Sequence, residues 1–496
     1  MWTYGFEPWL ESLPDDWYAD DELLRSLLDR YAPAADRSRL TELGPLAAGR
    51  LRALAEESAR PANAPRLRRL DAYDRRVDEV VLPDSTREAL AITEGQLGLG
   101  AVRYDPFVHY AAVYLLAQNG EAGVACSLAC TDGLVRSLEA LGDGEPHRRA
   151  LDEVLGSSPD RVVHGAQFVT EIQGGSDVPA NRTRAVPGRE GYRIHGRKWF
   201  CSNINADWFL VTARSEERDA PPVGLFLVPA YGGRRGARNG YTIDRLKDKL
   251  GTRELATAEV TFDGAVAWPI GPPERGLANL LRYVLTPSRY ACVLFAAAAL
   301  RRAERITTRY AGFREAFGRP IARYPLVART LDAISTARAE ALACALELLR
   351  LWLAGEKDAD APEAVDFRIL LSLAKPVLTR RATALLHEAM MMLGGNGIEE
   401  RFSPLPRLYR DAVIMETWEG PHNVLYTQAL RDLIRFDVRP RDLIARVGGA
   451  GDAVEAVVAG LEDAVALGRA GDERATLRIA DTAPALIAAL GRTALP

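Results

Sequence analysis

Two stretches near the middle of the chain carry residue types that could hold a cofactor. The first, Phe168-Val169-Thr170-Glu171-Ile172-Gln173-Gly174-Gly175-Ser176-Asp177, is a polar turn with paired glycines. The second, Tyr192-Arg193-Ile194-His195-Gly196-Arg197-Lys198-Trp199-Phe200-Cys201-Ser202-Asn203, reads as a strand ending in an aromatic and a hydroxyl. Amides uncovered by Gly174 and Gly175 can converge on an anion. An aromatic face with a hydroxyl nearby can pack a flat ring and tune its polar edge. The two stretches together make a cradle for a flat, phosphate-bearing cofactor. Taken alone, the first is also compatible with a tight interstrand turn capped by Ser176 and Asp177. Strict alternation along the second would put Phe200 and Ser202 on one face and Trp199 and Cys201 on the other.

Other chemistries lack their signatures. No strand is followed at once by GxGxxG, and Gly271-Pro272-Pro273-Glu274-Arg275-Gly276 has the wrong spacing. The six histidines, His109, His147, His164, His195, His387 and His422, form neither HExxH nor a close cluster, so no metal site is signalled. No serine sits in GxSxG. Cys126, Cys130, Cys201, Cys292 and Cys344 form no CxxC pair, which suits a reducing compartment.

The elements that must position these residues follow from patterning. A length of 496 residues predicts two to four domains. With 48% hydrophobic and 26% charged residues, the composition is that of a soluble globular protein. A net charge of -4 supplies no global attraction to nucleic acid or anionic membrane. The first residues lack a signal-peptide pattern and no run approaches an uncharged membrane span, so a cytoplasmic protein without a membrane partner is expected. Helical periodicity marks the first third, as in Leu23, Leu24, Leu27 and Leu28 set against Asp21, Glu22, Arg25 and Asp29. Between 162 and 270 short β-branched and aromatic runs alternate with turns, which predicts a β domain. Long apolar periodicity returns over roughly 283 to 311, 324 to 354 and 363 to 393, with a shorter segment from 421 to 435. The expected division is a helical domain over 1–160, a β domain over 161–275, a helical bundle over 276–436 and a helical extension over 437–496.

Four motif groups point to one family. The two stretches above, Arg245-Leu246-Lys247-Asp248-Lys249-Leu250-Gly251-Thr252-Arg253, the turn Leu393-Gly394-Gly395-Asn396-Gly397, and Arg410-Asp411 leading to Thr417-Trp418-Glu419-Gly420 together resemble the acyl-CoA dehydrogenase family. The resemblance is strongest to its adaptive-response, DNA-alkylation-resistance flavoprotein branch, through Thr170 to Val178, Gly196 to Ser202, Arg245 to Gly251 and Leu405-Pro406-Arg407-Leu408-Tyr409-Arg410, and covers about residues 20 to 436.

The resemblance implies an α+β fold with a helical N-terminal domain, a central β domain and a C-terminal helical bundle, with FAD held between the last two and at a subunit interface. It implies dehydrogenation of an acyl thioester, most simply an acyl-CoA: a base takes the α proton while the β hydrogen leaves as hydride to flavin N5. By similarity, Phe168, Thr170, Gly175 and Ser176 lie along the flavin. Phe200 takes the place of the family's tryptophan beside the dimethylbenzene ring, and Ser202 that of the hydroxyl near N5 and O4. Arg314 and Phe317 match the family's RxxFG, in which the arginine reaches the pyrophosphate of a neighbouring subunit's FAD. Gly394, Gly395 and Gly397 match its glycine turn near the adenosine phosphates. Pro325 and Met391 stand where many relatives carry glutamine.

Glu419 aligns with the catalytic base. Pro421 is favoured at a first helical position, which places Glu419 just before a helix. Some relatives carry the base elsewhere, in a region that here reads Thr286-Pro287-Ser288-Arg289-Tyr290 with no glutamate; Arg289 is instead a candidate for orienting the groove or the turn below Glu419. The implied assembly is a homo-oligomer, a tetramer of two dimers, and an electron-acceptor protein is a further implied partner. The branch also suggests an alternative, an alkylation-response flavoprotein that binds or protects duplex DNA with little turnover. Residues 441 to 496 hold six arginines against eight acidic residues and look suited to packing, so DNA binding would need a basic face built from elsewhere.

Overall fold

The computed structural model describes residues 4–216, 222–232, 237–358, 361–446, 448 and 452–496. They fall into two compact units. One, the strand unit, combines Leu51–Arg103 with Glu121–Ser288; the other, the helical unit, combines the N-terminal fifty residues, Tyr104–Gly120 and Arg289–Pro496.

The strand unit is built on a seven-stranded sheet. Trp208–Ser215 pairs in parallel with Gly165–Phe168 and Arg184–Pro187, and antiparallel with Val223–Pro229. Arg184–Pro187 also pairs with Tyr192–Ser202, which pairs with Thr257–Pro269, which returns to Val223–Pro229. The sheet therefore closes on itself, and Tyr241–Leu246 adds to the outside of Thr257–Pro269. Closure leaves fewer open edges and gives the strands a shared buried interior. Along Trp208–Ser215, Phe209, Val211 and Ala213 point into one core with Phe168, Phe226 and Phe262. Trp208 and Leu210 point into a second core with Leu134, Val135 and Leu138 of the Ala125–Leu141 helix. That helix folds with the strands because the outer sheet face needs an apolar cover. The first third also contains a hairpin, Arg66–Leu70 with Arg76–Val81, which helical patterning did not predict.

The helical unit contains the three long helices expected from periodicity, observed as Thr286–Phe313, Pro325–Lys357 and Pro362–Met392. Leu405–Thr417 and His422–Arg435 follow. The N-terminal segment is tied to this bundle by charge: Asp20 accepts from Arg301 at 2.8 Å, Arg305 at 2.7 Å and Arg309 at 2.8 Å. Asp21, fully buried, pairs with Arg301 and Arg338. The distal helices Asp452–Arg469 and Ala475–Thr493 pack within the same unit. Gly491 lies directly against the Glu340 main chain, and Arg492 bonds the Glu340 carboxylate at 3.1 Å. Among the described residues, one helical run, Pro273–Phe313, has the length and composition to cross a membrane, and 83% of its apolar window is buried inside the protein.

Candidate functional site

In the strand unit, a buried ion pair sets the path of the glycine loop. Lys198, 1% exposed, donates to the Glu171 carboxylate at 2.9 Å, to the Val169 carbonyl at 3.1 Å and to Thr212 Oγ1 at 3.0 Å. Glu171 also accepts the main-chain N–H groups of Arg182 at 2.6 Å and Thr183 at 3.0 Å. Burial alone would raise the Glu171 pKa, but the Lys198 charge and these donors outweigh it and hold the carboxyl down to about 2. Desolvation brings Lys198 down to about 8 despite Glu171, so both are charged at neutral pH.

From this anchor the chain emerges as an open loop. Thr170 is half-buried and its carbonyl accepts the Trp199 N–H at 2.9 Å, which joins the two stretches singled out by sequence. A side chain at Gly175 would collide with Thr170 Oγ1, so only glycine allows this close approach. Ser176 is exposed, and the amides of Gly175 and Ser176 make no hydrogen bond within the described chain. Phe168 is a correction to the expected set. Its side chain is enclosed in the core against Phe209, with ring centroids 4.5 Å apart, so a ring contact through it is excluded and its main chain alone can serve.

The strand that carries Phe200 does not alternate as expected. Lys198 pairs with Val260 and Cys201 with Ala258, so two residues, Trp199 and Phe200, stand opposite one, Glu259. This bulge puts Lys198 and Cys201 both inward and turns Trp199 and Phe200 both outward, correcting the pairing of Trp199 with Cys201. Phe200 is 49% exposed, and the Lys247 ammonium sits 3.5 Å from the Trp199 ring centroid and 4.6 Å from that of Phe200. Ser202 is half-buried and bonds Thr257 Oγ1 at 3.1 Å; Lys249 donates to the same Thr257 oxygen at 2.9 Å. Asn203, with φ of 56°, donates to the Gly165 carbonyl at 2.8 Å and to Ser127 Oγ at 3.1 Å. Ser127 in turn bonds Glu94, which burial raises to about 7.

In the helical unit, Glu419 stands in the turn between Leu405–Thr417 and His422–Arg435. It is half-buried with φ of 55°, and Gly420 follows at 107°. Pro421 is the residue before the helix rather than its first member, one place from expectation. Arg289, buried, donates Nε to the Glu419 carbonyl at 2.9 Å and bonds Gln428 at 3.1 Å. This is the orienting contact expected for Arg289. Lys375 was not anticipated. Fully enclosed, it donates to the carbonyls of Glu416 at 2.8 Å and Gly420 at 2.9 Å. Desolvation lowers it to about 8, offset in part by Cys292 and Glu419. Its only sequence signal is a single charge in a largely apolar stretch, Leu370 to Leu378, of a long helix.

The remaining expected residues also lie in the helical unit. Arg314 is exposed and leans on Tyr4, its guanidinium 3.3 Å from the hydroxyl. Phe317 is 97% exposed, at the tip of the Glu315–Ala316 and Arg319–Pro320 hairpin with φ of 50°. Gly394 and Gly395 face open space, whereas Gly397 is pressed on the Met390 carbonyl, where no side chain fits.

These residues suit FAD. The strand unit supplies an exposed aromatic face, a hydroxyl and two unengaged amides, which match a flat ring with polar edges and an anionic tail. Arg314 and the open glycines offer a cation and close backbone approach for phosphates. Among the described residues no group of histidine, cysteine and carboxylate side chains could hold a metal ion.

The chain matches the families "Adaptive response protein AidB N-terminal domain" over residues 11–157, "Acyl-CoA dehydrogenase, middle domain" over 166–265 and "Acyl-CoA dehydrogenase, C-terminal domain" over 274–434. It is 34% identical over 390 residues to the AidB protein of Escherichia coli K12, covering 75% of this chain and 69% of that one. It is 32% identical over 435 residues to acyl-CoA dehydrogenase family member 11 of Caenorhabditis elegans, covering 84% and 70%. Among solved structures, the apo form of Bd2924 superposes with a TM-score of 0.87 at 28% identity over 96% of both chains. The Caenorhabditis elegans ACDH-11 complex with C11-CoA gives 0.82 at 27%, over 95% of this chain and 86% of that one.

Proposed function

The chain belongs to the acyl-CoA dehydrogenase family of FAD-dependent oxidoreductases, and we propose that it dehydrogenates an acyl-CoA with Glu419 as the base that takes the α proton. The observation that carries this reading is the Glu419 turn, a half-buried carboxylate on left-handed main chain braced by two buried cations. Bound FAD would supply the acceptor for the β hydrogen. The chain's own task is then to place the thioester, exclude water and remove one proton. The positive charges of Arg289 and Lys375 favour the ionised form of Glu419. An arriving acyl chain displaces water and raises its basicity. Phe200 would offer its face to the flavin ring, Ser202 and Thr170 their hydroxyls, and the amides of Gly175 and Ser176 an anion site, with Phe168 contributing main chain only. The C11-CoA carried by the ACDH-11 relative supports an aliphatic acyl-CoA as the substrate class.

Anaerobic bleaching of bound flavin by a panel of acyl-CoAs tests the proposal. One chain-length class should bleach the wild type, and Glu419→Gln should slow bleaching by roughly 100- to 10,000-fold with FAD retained. A full rate in Glu419→Gln would overturn the base assignment. An unreactive flavin together with a salt-dependent shift of duplex DNA would favour the alkylation-response alternative.

We also propose a homotetramer of two dimers in which Arg314 and Phe317 complete the neighbour's FAD site, along with Gly394, Gly395 and Gly397. The support is a ring left 97% exposed on a hairpin whose tip covers little of its own unit. Shared binding couples FAD affinity to assembly. In sedimentation, Arg314→Ala should lose FAD and the larger species together; a stable, fully loaded monomer would overturn the model. Reoxidation is assigned to an electron-acceptor protein.

A further inference from the structure

Lys375 lies on the Pro362–Met392 helix, far in sequence from the Glu419 turn, yet its ammonium donates to carbonyls at both ends of that turn. The Glu416 carbonyl belongs to the last turn of the Leu405–Thr417 helix, where main-chain acceptors have no partner within the helix. The Gly420 carbonyl follows two successive residues with positive φ, a path that costs energy at the non-glycine Glu419. Arg289 takes the carbonyl between them. Two buried cations thus bind three carbonyls across five residues, and a lysine enclosed without a carboxylate bond would otherwise be costly.

We infer that Lys375 is a positioning residue for catalysis: its ammonium, bridging the Glu416 and Gly420 carbonyls, holds the Glu419 turn in its left-handed path and keeps positive charge beside the base. The inference rests on Glu419 being the base. Its electrostatic surroundings are mixed. Cys292 and Arg289 face it from the Thr286–Phe313 helix, Glu416 and Glu419 from the turn, and His422 from the following helix. Burial keeps Cys292 a thiol, raised to about 12, and holds His422 below the usual imidazole value, so Lys375 is the cation among them that loses its charge near pH 8.

The test uses the FAD-loaded protein as wild type, Lys375→Met and Lys375→Arg. Hydrogen exchange over residues 414–422 should quicken at least 10-fold in Lys375→Met. In the wild type, after correction for intrinsic base catalysis, it should quicken several-fold between pH 7 and 9.5, but not in Lys375→Arg, which keeps its charge. Turnover in Lys375→Met should fall roughly 10- to 100-fold in kcat with KM nearly unchanged, the scale expected for a displaced catalytic group. The acid limb of its kcat/KM profile should move to higher pH, because Glu419 has lost a neighbouring positive charge. Exchange and pH profile both within twofold of wild type would overturn the inference. If Lys375→Met does not fold, the wild-type pH series decides, and a flat series overturns it. Should no acyl-CoA be turned over, the reading of Glu419 fails separately, since the exchange measurement does not depend on turnover.

Discussion

In the strand unit, Lys198 holds the glycine loop through the carboxylate of Glu171; in the helical unit, Arg289 and Lys375 hold the Glu419 turn through main-chain carbonyls. Both loops are fixed by buried cations, but the cations grip different atoms of the glutamate. A carboxylate bound to an ammonium and two amides is driven to about 2 and is too weak a base to take a proton from carbon. A turn clamped at its carbonyls fixes where the Glu419 side chain starts. The difference separates an anchor from a candidate base among two glutamates of similar local sequence context, each next to glycine-bearing turns.

The comparison can be broken most forcefully at Lys198. Lys198→Met leaves Glu171 buried without its cation and should cost about 3–5 kcal/mol in denaturant unfolding, while Lys198→Met with Glu171→Gln should recover much of that. A single-variant cost under about 1 kcal/mol would show that the pair does not anchor the loop. The wild-type anchor is acid-sensitive in a defined direction. The folded Glu171 pKa lies below its unfolded value, so its stabilisation is present above about pH 4.5 and is lost as pH falls toward 2.

Glu94 sharpens the comparison with a smaller effect. It is buried like Glu171 but bonded to the hydroxyls of Ser127 and Thr131 rather than to a cation, and burial raises it to about 7. Its folded pKa exceeds the unfolded one, so its contribution is most favourable below about pH 4.5 and fades as pH rises through 7. Glu94→Gln should therefore be close to wild type near pH 5 and more stable by about 1–3 kcal/mol at pH 9. Parallel stability curves for the two proteins across that range would show that Glu94 does not stay protonated in the fold.

Much of this was legible in the sequence, and the rest divides along a physical line. Helices at 283–311, 324–354 and 363–393 were determined by apolar periodicity and the β domain between 162 and 270 by short β-branched and aromatic runs, signals each segment carries within itself. The motifs likewise determined the family and put Glu419 in a turn before a helix. Tertiary structure alone decided what depends on partners distant in the chain. Phe168 became core because Phe209 of a neighbouring strand covers it, and the bulge after Lys198 arose from mismatch with Thr257–Pro269, reversing the face of Trp199. Lys375 became a brace because the bundle brings it to carbonyls 41 and 45 residues away. A lysine in an apolar helix reads locally as an anomaly. Only the folded chain supplies the acceptors that make its burial affordable, since backbone carbonyls leave no trace in side-chain sequence.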